Sequence, residues 1–362
     1  MMPLPFMSLT PGADAADVRQ AIDRVITRGW FILGPELEAF ETEFAEASGA
    51  GHAIGVGTGT DALALILRAT GIGPGDEVIT TPLSAAYSTL AIMMVGATPV
   101  FADVDPDRLT VDPDAVAAAV TSRTAAILPV HLYGQPADMQ ALCAVADRHG
   151  LAIIEDACQA HLATADGRPV GTMGVAGAFS FYPTKNLGAL GDAGAIVTSD
   201  ADLATRLKRL RNGGQTNRYH HVEFGVNTRL DEIQAAVLRT RLSRLADGTH
   251  RRRALGARYR AALVDAPVVV PPECDPGHVY HLFPVRSAAR ESLQAHLRAA
   301  GIDTLIHYPI PIPRQQALGD LHTAPCPIAD QVCAEVFSLP LHPALSDEDA
   351  DRVATAVHAF TG

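Results

Sequence analysis

The 362-residue chain is short of cysteine, aromatic residues and positive charge, and it has no long apolar run. Its five cysteines (Cys143, Cys158, Cys274, Cys326, Cys333) are odd in number and widely spaced, with no CxxC pair. A disulfide framework and a cysteine-based zinc site are therefore not expected, and a reducing, cytoplasmic setting is. Fourteen histidines are scattered without an HExxH or comparable spacing, which argues against a metal centre. Lys and Arg number 28 against 40 Asp and Glu, a formal net charge of -12. Such a chain repels phosphate backbones, and its one basic run, "RRR" at 251–253, lies on a helical pattern and reads as a solvated face. Nucleic acid is not an expected partner. "LAIMMVGATPVFADV" is broken by Gly96 and Pro99, so no membrane span is expected. "MMPLPFMSLTPG" lacks a basic start and an apolar core, so it does not read as a signal peptide.

What is present is globular: 48% hydrophobic and 19% charged residues, in a length suited to two domains sharing a large core. Two amphipathic helices open the chain, the first over Asp14–Arg28 and the second marked by Leu37, Phe40 and Phe44. Between residues 52 and 157 short apolar strands alternate with helical stretches: "AIGV", "EVITT", "TPVFADV", "TAAILPVHL" and "LAIIEDA" are the strands. That alternation implies a mostly parallel sheet covered on both faces. Strands near "GAFSF" and "GAIVTS" follow, then a helix "LATRLKRLRN" and one long helix from Leu230 toward Leu263. After the proline-rich "PVVVPPECDPGH" the pattern becomes "VYHLFPVR" strand, "ARESLQAHLRAAG" helix, "DTLIHYP" strand and a closing "DEDADRVATAVHAF" helix. The expectation is an α/β chain with a large domain over 1–245 and a smaller C-terminal α+β domain over 246–362.

Ligands of open parallel sheets bind beyond the carboxyl ends of the strands, so polar residues just after strands are the ones to weigh. "GVGTGTDAL" (55–63) runs from a strand into a helix start, where exposed N–H groups and the hydroxyls of Thr58 and Thr60 suit a phosphate. It lacks the lysine of a Walker loop and has Thr60 where a dinucleotide fingerprint wants its third glycine. A tight, capped turn explains it equally well. Asp156 in "IIEDACQAH" ends an apolar strand, where a carboxylate needs a cationic or N–H partner, such as a pyridinium nitrogen. Gln159 is three residues on; a plain helix or turn cap is the blander account of Asp156. Lys185 in "SFYPTKNLGALGDAG" stands between aromatics and a glycine turn, where a desolvated amine can form a Schiff base. Ser180 adds a hydroxyl. A phosphate cup, a ring-nitrogen carboxylate and a Schiff-base lysine, in that order, are the groups that pyridoxal 5'-phosphate requires.

The chain resembles the DegT/DnrJ/EryC1/StrS aminotransferases, sugar aminotransferases of the fold-type I pyridoxal-phosphate class. The likeness runs nearly end to end, through "GWFILGPELEAFE", "GTDALAL", "HLYGQPADM", "EDACQAH", "FSFYPTKNLGALGDAGAIVT", "GVNTRLDEIQAA" and "SLPLHP". It implies Lys185 as the cofactor-bound lysine and proton shuttle and Asp156 as partner of the ring nitrogen. It further implies Gln159 at the ring hydroxyl, and Gly59, Thr60 and Ser180 at the phosphate. Asn227 is similar to the asparagine that reaches the phosphate in the neighbouring subunit, which implies a homodimer with shared sites. Tyr182, Arg229 and Tyr308 are candidates for the substrate side. The implied reaction moves an amino group, from glutamate or another amino acid, through pyridoxamine phosphate to a keto group of a nucleotide-linked deoxysugar.

Two departures stand out. The family commonly reads P-x-x-T-[aromatic]-x-A-T, its aromatic stacked on the cofactor, whereas residues 82–89 are "PLSAAYST". Ala86 takes the aromatic position, and Tyr87 or Leu83 becomes the candidate cover. Pro313 replaces a histidine of many relatives in "HYPIPIPRQQAL". Lys185 argues against the family's dehydratases, which carry histidine there, while a cyclitol aminotransferase or aminohydroxybenzoate synthase shares the same cofactor motifs. An NAD-dependent oxidoreductase, suggested by "GVGTGT", leaves Asp156 and Lys185 without a role. A non-catalytic regulator would want a DNA-binding module, which the chain lacks.

Overall fold

A computed structural model describes residues 3–319, 321 and 324–361. Helices α1 (Ala15–Arg28) and α2 (Pro35–Ala47) precede a seven-stranded sheet. Its strands are β1 (His52–Val56), β2 (Glu77–Thr80), β3 (Thr98–Phe101), β4 (Thr124–Leu128), β5 (Ala152–Asp156), β6 (Ala176–Ser180) and β7 (Gly194–Thr198). They lie in the order β1-β7-β6-β5-β4-β2-β3, with β7 antiparallel to both its neighbours and the other adjacent pairs parallel. The connecting helices are α3 (Gly59–Ala69), α4 (Tyr87–Met94), α5 (Pro113–Ala119), α6 (Met139–His149) and α7 (Ala201–Leu210). The mostly parallel α/β expectation is met.

Side chains alternate across the sheet, and each face has its own core. Ile54, Val78, Ala126, Leu128, Ile154, Ala178 and Ile196 pack with α3, α4 and α7. Their odd-numbered neighbours Ile79, Ile127, Ile153, Phe179, Ala195 and Val197 pack with α2, α5 and α6. Burial on both faces is why these strands read as continuous apolar runs rather than alternating ones.

The helix expected to run from Leu230 to Leu263 is two helices, α8 (Glu232–Leu242) and α9 (Leu245–Ala262). No Gly or Pro marks the break. Its cause is tertiary: α8 lies on α1 and α2, whereas α9 lies on α12 (Asp347–His358). At the break the Ser243 hydroxyl donates to the Thr240 carbonyl, 3.0 Å. The expected strand at "DTLIHYP" is reduced to a single bridge between Leu305 and Ser338. The ladder instead joins β8 (Phe283–Arg286) to β9 (Val336–Leu339), antiparallel, and β9 has no counterpart in the sequence reading. Helices α10 (Arg290–Ala299) and α11 (Pro327–Glu335) complete this part. A third core gathers Leu255, Tyr259, Phe283, Val285, Leu293, Phe337 and Val353, with Leu4 from the other end of the chain.

Gly34 stands at the N-cap of helix α2 and has no capping side chain. Glu232, the first residue of α8, fills that role from 198 positions away. Its buried carboxylate accepts from the N–H groups of Gly34 (3.0 Å), Glu36 (2.9 Å) and Leu37 (2.8 Å). This anion on a helix N-terminus ties "GPELEAFE" to "LDEIQAA". Glu232→Ala leaves these donors unpaired at roughly 1–3 kcal/mol each for those fully cut off from water. A denaturant titration should show a loss of about 3 kcal/mol or more, and an unchanged midpoint would refute the cap.

Candidate active site

A cavity of about 690 Å³ opens at the carboxyl ends of β5 and β6, within the size range of small-molecule sites. Gly59, Thr60, Asp156, Gln159, Ser180, Tyr182, Lys185 and Tyr308 all line it. Residues separated by well over a hundred positions in the chain thus meet as the sequence reading expected.

Each is aimed by its element. Asp156 ends β5, its N–H donating to the Pro129 carbonyl (2.9 Å) and its carbonyl accepting from the His131 N–H (3.0 Å). Neighbouring Glu155 points to the opposite face and is fully buried. It accepts from the Gly171 (2.6 Å), Met173 (2.7 Å) and Gly174 (2.8 Å) N–H groups and pairs with the His131 ring at 3.1 Å. Burial pushes its carboxyl up, but the His131 ring and these N–H groups outweigh burial and hold it below the ordinary value. On β6 the same alternation puts Phe179 into the core with α2 and turns Ser180 toward the cavity. Phe181 continues the buried row, edge-on to Phe40 (5.4 Å) and Phe44 (5.1 Å).

The lysine loop is closed on itself. Phe181 donates to Ala193 (2.8 Å), Ala189 to Phe181 (2.7 Å) and Lys185 to Tyr182 (2.8 Å). Burial lowers the Lys185 amine below the ordinary lysine value, opposed by Cys158 and Asp156. The amine in turn helps hold the His281 ring, already pushed down by burial, in its neutral form.

The start of α3 forms the third corner. Thr58 caps it, its hydroxyl accepting from the Asp61 N–H at 3.0 Å. The Gly59 and Thr60 N–H groups, first in the helix, have no intrahelical acceptor. A Cβ on Gly59 would stand 2.7 Å from the Cys158 sulfur and 2.9 Å from the Ser180 Cβ, so only glycine fits. Free N–H groups, a strand-end carboxylate and a desolvated amine around one cavity fit a phosphorylated pyridine aldehyde.

Gln159 is held at both ends: its carbonyl accepts from the Tyr133 N–H (2.8 Å) and its amide donates to the Tyr308 hydroxyl (3.1 Å). Burial, with Asp156 adding to it and Gln159 opposing, pushes the Tyr308 hydroxyl up to about 12. Tyr87 is 62% exposed and lines the cavity, which places it outside the core, whereas Leu83 is fully buried in the core. Ala86 is packed against that core.

Asn227 and Arg229 do not join this cavity. Asn227 is exposed, and Arg229 donates to the side-chain Oδ1 of Asn212 at 3.0 Å. Between them Thr228 is anchored, accepting from the Gly57 N–H (2.8 Å) and donating to Asp61 (2.8 Å). The sequence reading missed Ser88, Cys158, Asp192, His281, His307 and the terminal pair Phe6 and Met7, which also line the cavity. Ser88 and Cys158 each adjoin a singled-out residue or lie within a singled-out motif; Phe6 and Met7 carried no signal, since only folding brings the chain start here.

The DegT/DnrJ/EryC1/StrS aminotransferase family matches residues 13–358. The dTDP-3-amino-3,4,6-trideoxy-alpha-D-glucose transaminase of Streptomyces venezuelae is 49% identical, over 99% of this chain and 96% of that protein. The solved structure of S. venezuelae DesV in complex with a ketimine intermediate superposes with a TM-score of 0.95 at 48% identity, covering 99% of this chain and 98% of that one. NtdA from Bacillus subtilis with bound cofactor PMP gives 0.93 at 30% identity, covering 99% and 85%.

Two further histidines, His161 and His278, are buried outside the cavity lining. Burial pushes His161, packed against Phe179 and Phe181, down to about 3, and His278 likewise to about 3. Unfolded, each takes a proton near the ordinary value of about 6.5. Between the two values the unfolded chain binds more protons, so stability is lost as pH falls below about 6.5. The urea midpoint should therefore drop from about pH 7 to about pH 4, and a flat midpoint over that window would show that the rings are hydrated.

Proposed function

The chain belongs to the DegT/DnrJ/EryC1/StrS aminotransferase family, and we propose that it moves an amino group from an amino acid, glutamate first, to a keto carbon of a nucleotide-linked deoxysugar. The observation that carries this is the meeting of Lys185, Asp156 and the start of α3 at one cavity. When bound there, pyridoxal 5'-phosphate supplies the electron sink that this chemistry needs. Lys185 holds it covalently at rest and then moves the proton as general acid and base. Asp156 holds the proton of the ring nitrogen, Gln159 meets the ring hydroxyl, and Gly59, Thr60 and Ser180 take the phosphate. Tyr87 covers a ring face in place of the family's aromatic, and Tyr182 and Tyr308 stand on the substrate side. The NAD-dependent alternative is set aside, because the cavity above "GVGTGT" also gathers Lys185 and Asp156, which a dinucleotide does not use.

The working unit in this reading is a homodimer with Asn227 serving the neighbouring copy's phosphate. Two features support it: Asn227 stands outside its own cavity, and Trp30 (55%), Met94 (55%) and Phe224 (83%) are exposed. Large apolar side chains left exposed in this way are ones that an interface would cover. No helix among the described residues is long and apolar enough to cross a membrane.

Lys185→Ala should abolish amino transfer from glutamate to keto-sugar nucleotides and remove the borohydride-sensitive yellow band, with an unchanged circular dichroism spectrum. Turnover near that of the parent would overturn the assignment. Mixing inactive Lys185→Ala and inactive Asn227→Asp chains should restore activity, since a mixed dimer assembles one site with both residues intact. Confirmed mixed dimers without activity would refute the shared site.

A further inference from the structure

We propose that Ser88 is a positioning residue for Asp156, fixing the plane in which its carboxylate meets the ring nitrogen of the cofactor; this rests on the cofactor reading above. Asp156 is 6% exposed, and Ser88 is 1% exposed. The Ser88 hydroxyl donates to Oδ2 of Asp156 at 2.7 Å, and the Cys158 N–H donates to Oδ1 at 3.1 Å. A carboxylate plane turns easily about its terminal torsion, which has broad, two-fold preferences. One donor leaves that rotation free; a donor on each oxygen stops it. Among the described residues no Lys, Arg or His makes an ion pair with Asp156, so neutral donors are its protein grip: the Ser88 hydroxyl and, from Cys158, the N–H and the thiol.

Burial on α4 does not by itself supply a partner. Thr89, the next residue on α4, is as deeply buried, and its hydroxyl has no partner. Ser88 acts through Asp156, and its hydroxyl donates only while that oxygen remains an acceptor.

The test uses the cofactor-loaded enzyme and its Ser88→Ala, Ser88→Cys and Ser88→Thr variants. Two quantities are read: the rate at which pyridoxal phosphate is lost on dialysis, and the position of its visible band. Ser88→Ala and Ser88→Cys should lose cofactor about tenfold faster, the scale of a hydrogen bond to a charged group. Their bands should move, because the ring-nitrogen proton is held less firmly. Ser88→Thr, which keeps the hydroxyl, should match the parent in both readings. A merely structural serine would change thermal stability and leave the band in place. Parent-like loss and an unmoved band in Ser88→Ala overturn the proposal, as does a Thr variant that folds and behaves like the Ala variant. If the Thr variant does not fold, unequal effects of Ala and Cys overturn it, and equal loss with shifted bands supports it. A parent protein that binds no pyridoxal phosphate refutes the functional reading itself, a result separate from any difference among the variants.

Discussion

The site depends on two adjacent carboxylates being driven apart by the pleat of one strand. Glu155 and Asp156 are chemically near-equivalent and sit next to each other at the end of β5. Successive side chains on a strand face opposite sides, so one must enter each layer. Glu155 is locked beneath by three N–H groups and the His131 ring, which makes its burial tolerable. That lock sets the register by which Asp156 emerges into the cavity. A slip of one residue would bury the wrong acid and leave the other without its donors.

The neighbouring strand repeats the device with aromatics. Phe179 and Phe181 are sunk beside Phe40, Phe44 and His161, and the hydroxyl of Ser180 is lifted between them. The loop bearing Lys185 leaves directly from this row and is tied back by backbone bonds at Phe181. Lys185 is therefore placed by buried rings rather than by a salt bridge of its own. This suits a residue whose amine has to be desolvated and able to change partners.

The β–α alternation was legible because strands buried on both faces and helices with an apolar stripe leave strong periodic marks. Asp156 was legible because a charge at the end of an apolar run is conspicuous, and Lys185 because a lone lysine stands between aromatics and a glycine turn. Three things were not legible, each for a tertiary reason. The break between α8 and α9 comes from a change of packing partner and has no Gly or Pro to announce it. The strand at Val336–Leu339 is defined by its pairing with Phe283–Arg286, some fifty residues earlier in the chain. The grip of Glu232 on α2 and of Ser88 on Asp156 joins residues far apart in sequence, and no local pattern records either.

The distribution of charge carries the last step. Lys185 is the one Lys or Arg among the described residues lining the cavity, and Asp156 and Asp192 are its carboxylates. Burial keeps His281 well below its ordinary value and brings His307 down to about 4, so neither ring adds positive charge near neutral pH. The proposed reaction asks this cavity to take two anionic groups, the cofactor phosphate and the nucleotide diphosphate. The free N–H groups of Gly59 and Thr60 serve the first without a formal charge, as helix starts do. For the second, the described residues lining the cavity offer no Lys or Arg besides Lys185. Arg218, His220 and His221 stand exposed on the segment that carries Asn227, tethered through Thr228 to the start of α3 yet turned away from their own cavity. Arg218 is thus a solvated cation on a segment that also exposes Tyr219, Val222 and Phe224, in a chain of net charge -12. In the proposed dimer that segment would bring Arg218 as countercharge for a diphosphate, which the cavity lining meets with Lys185 alone.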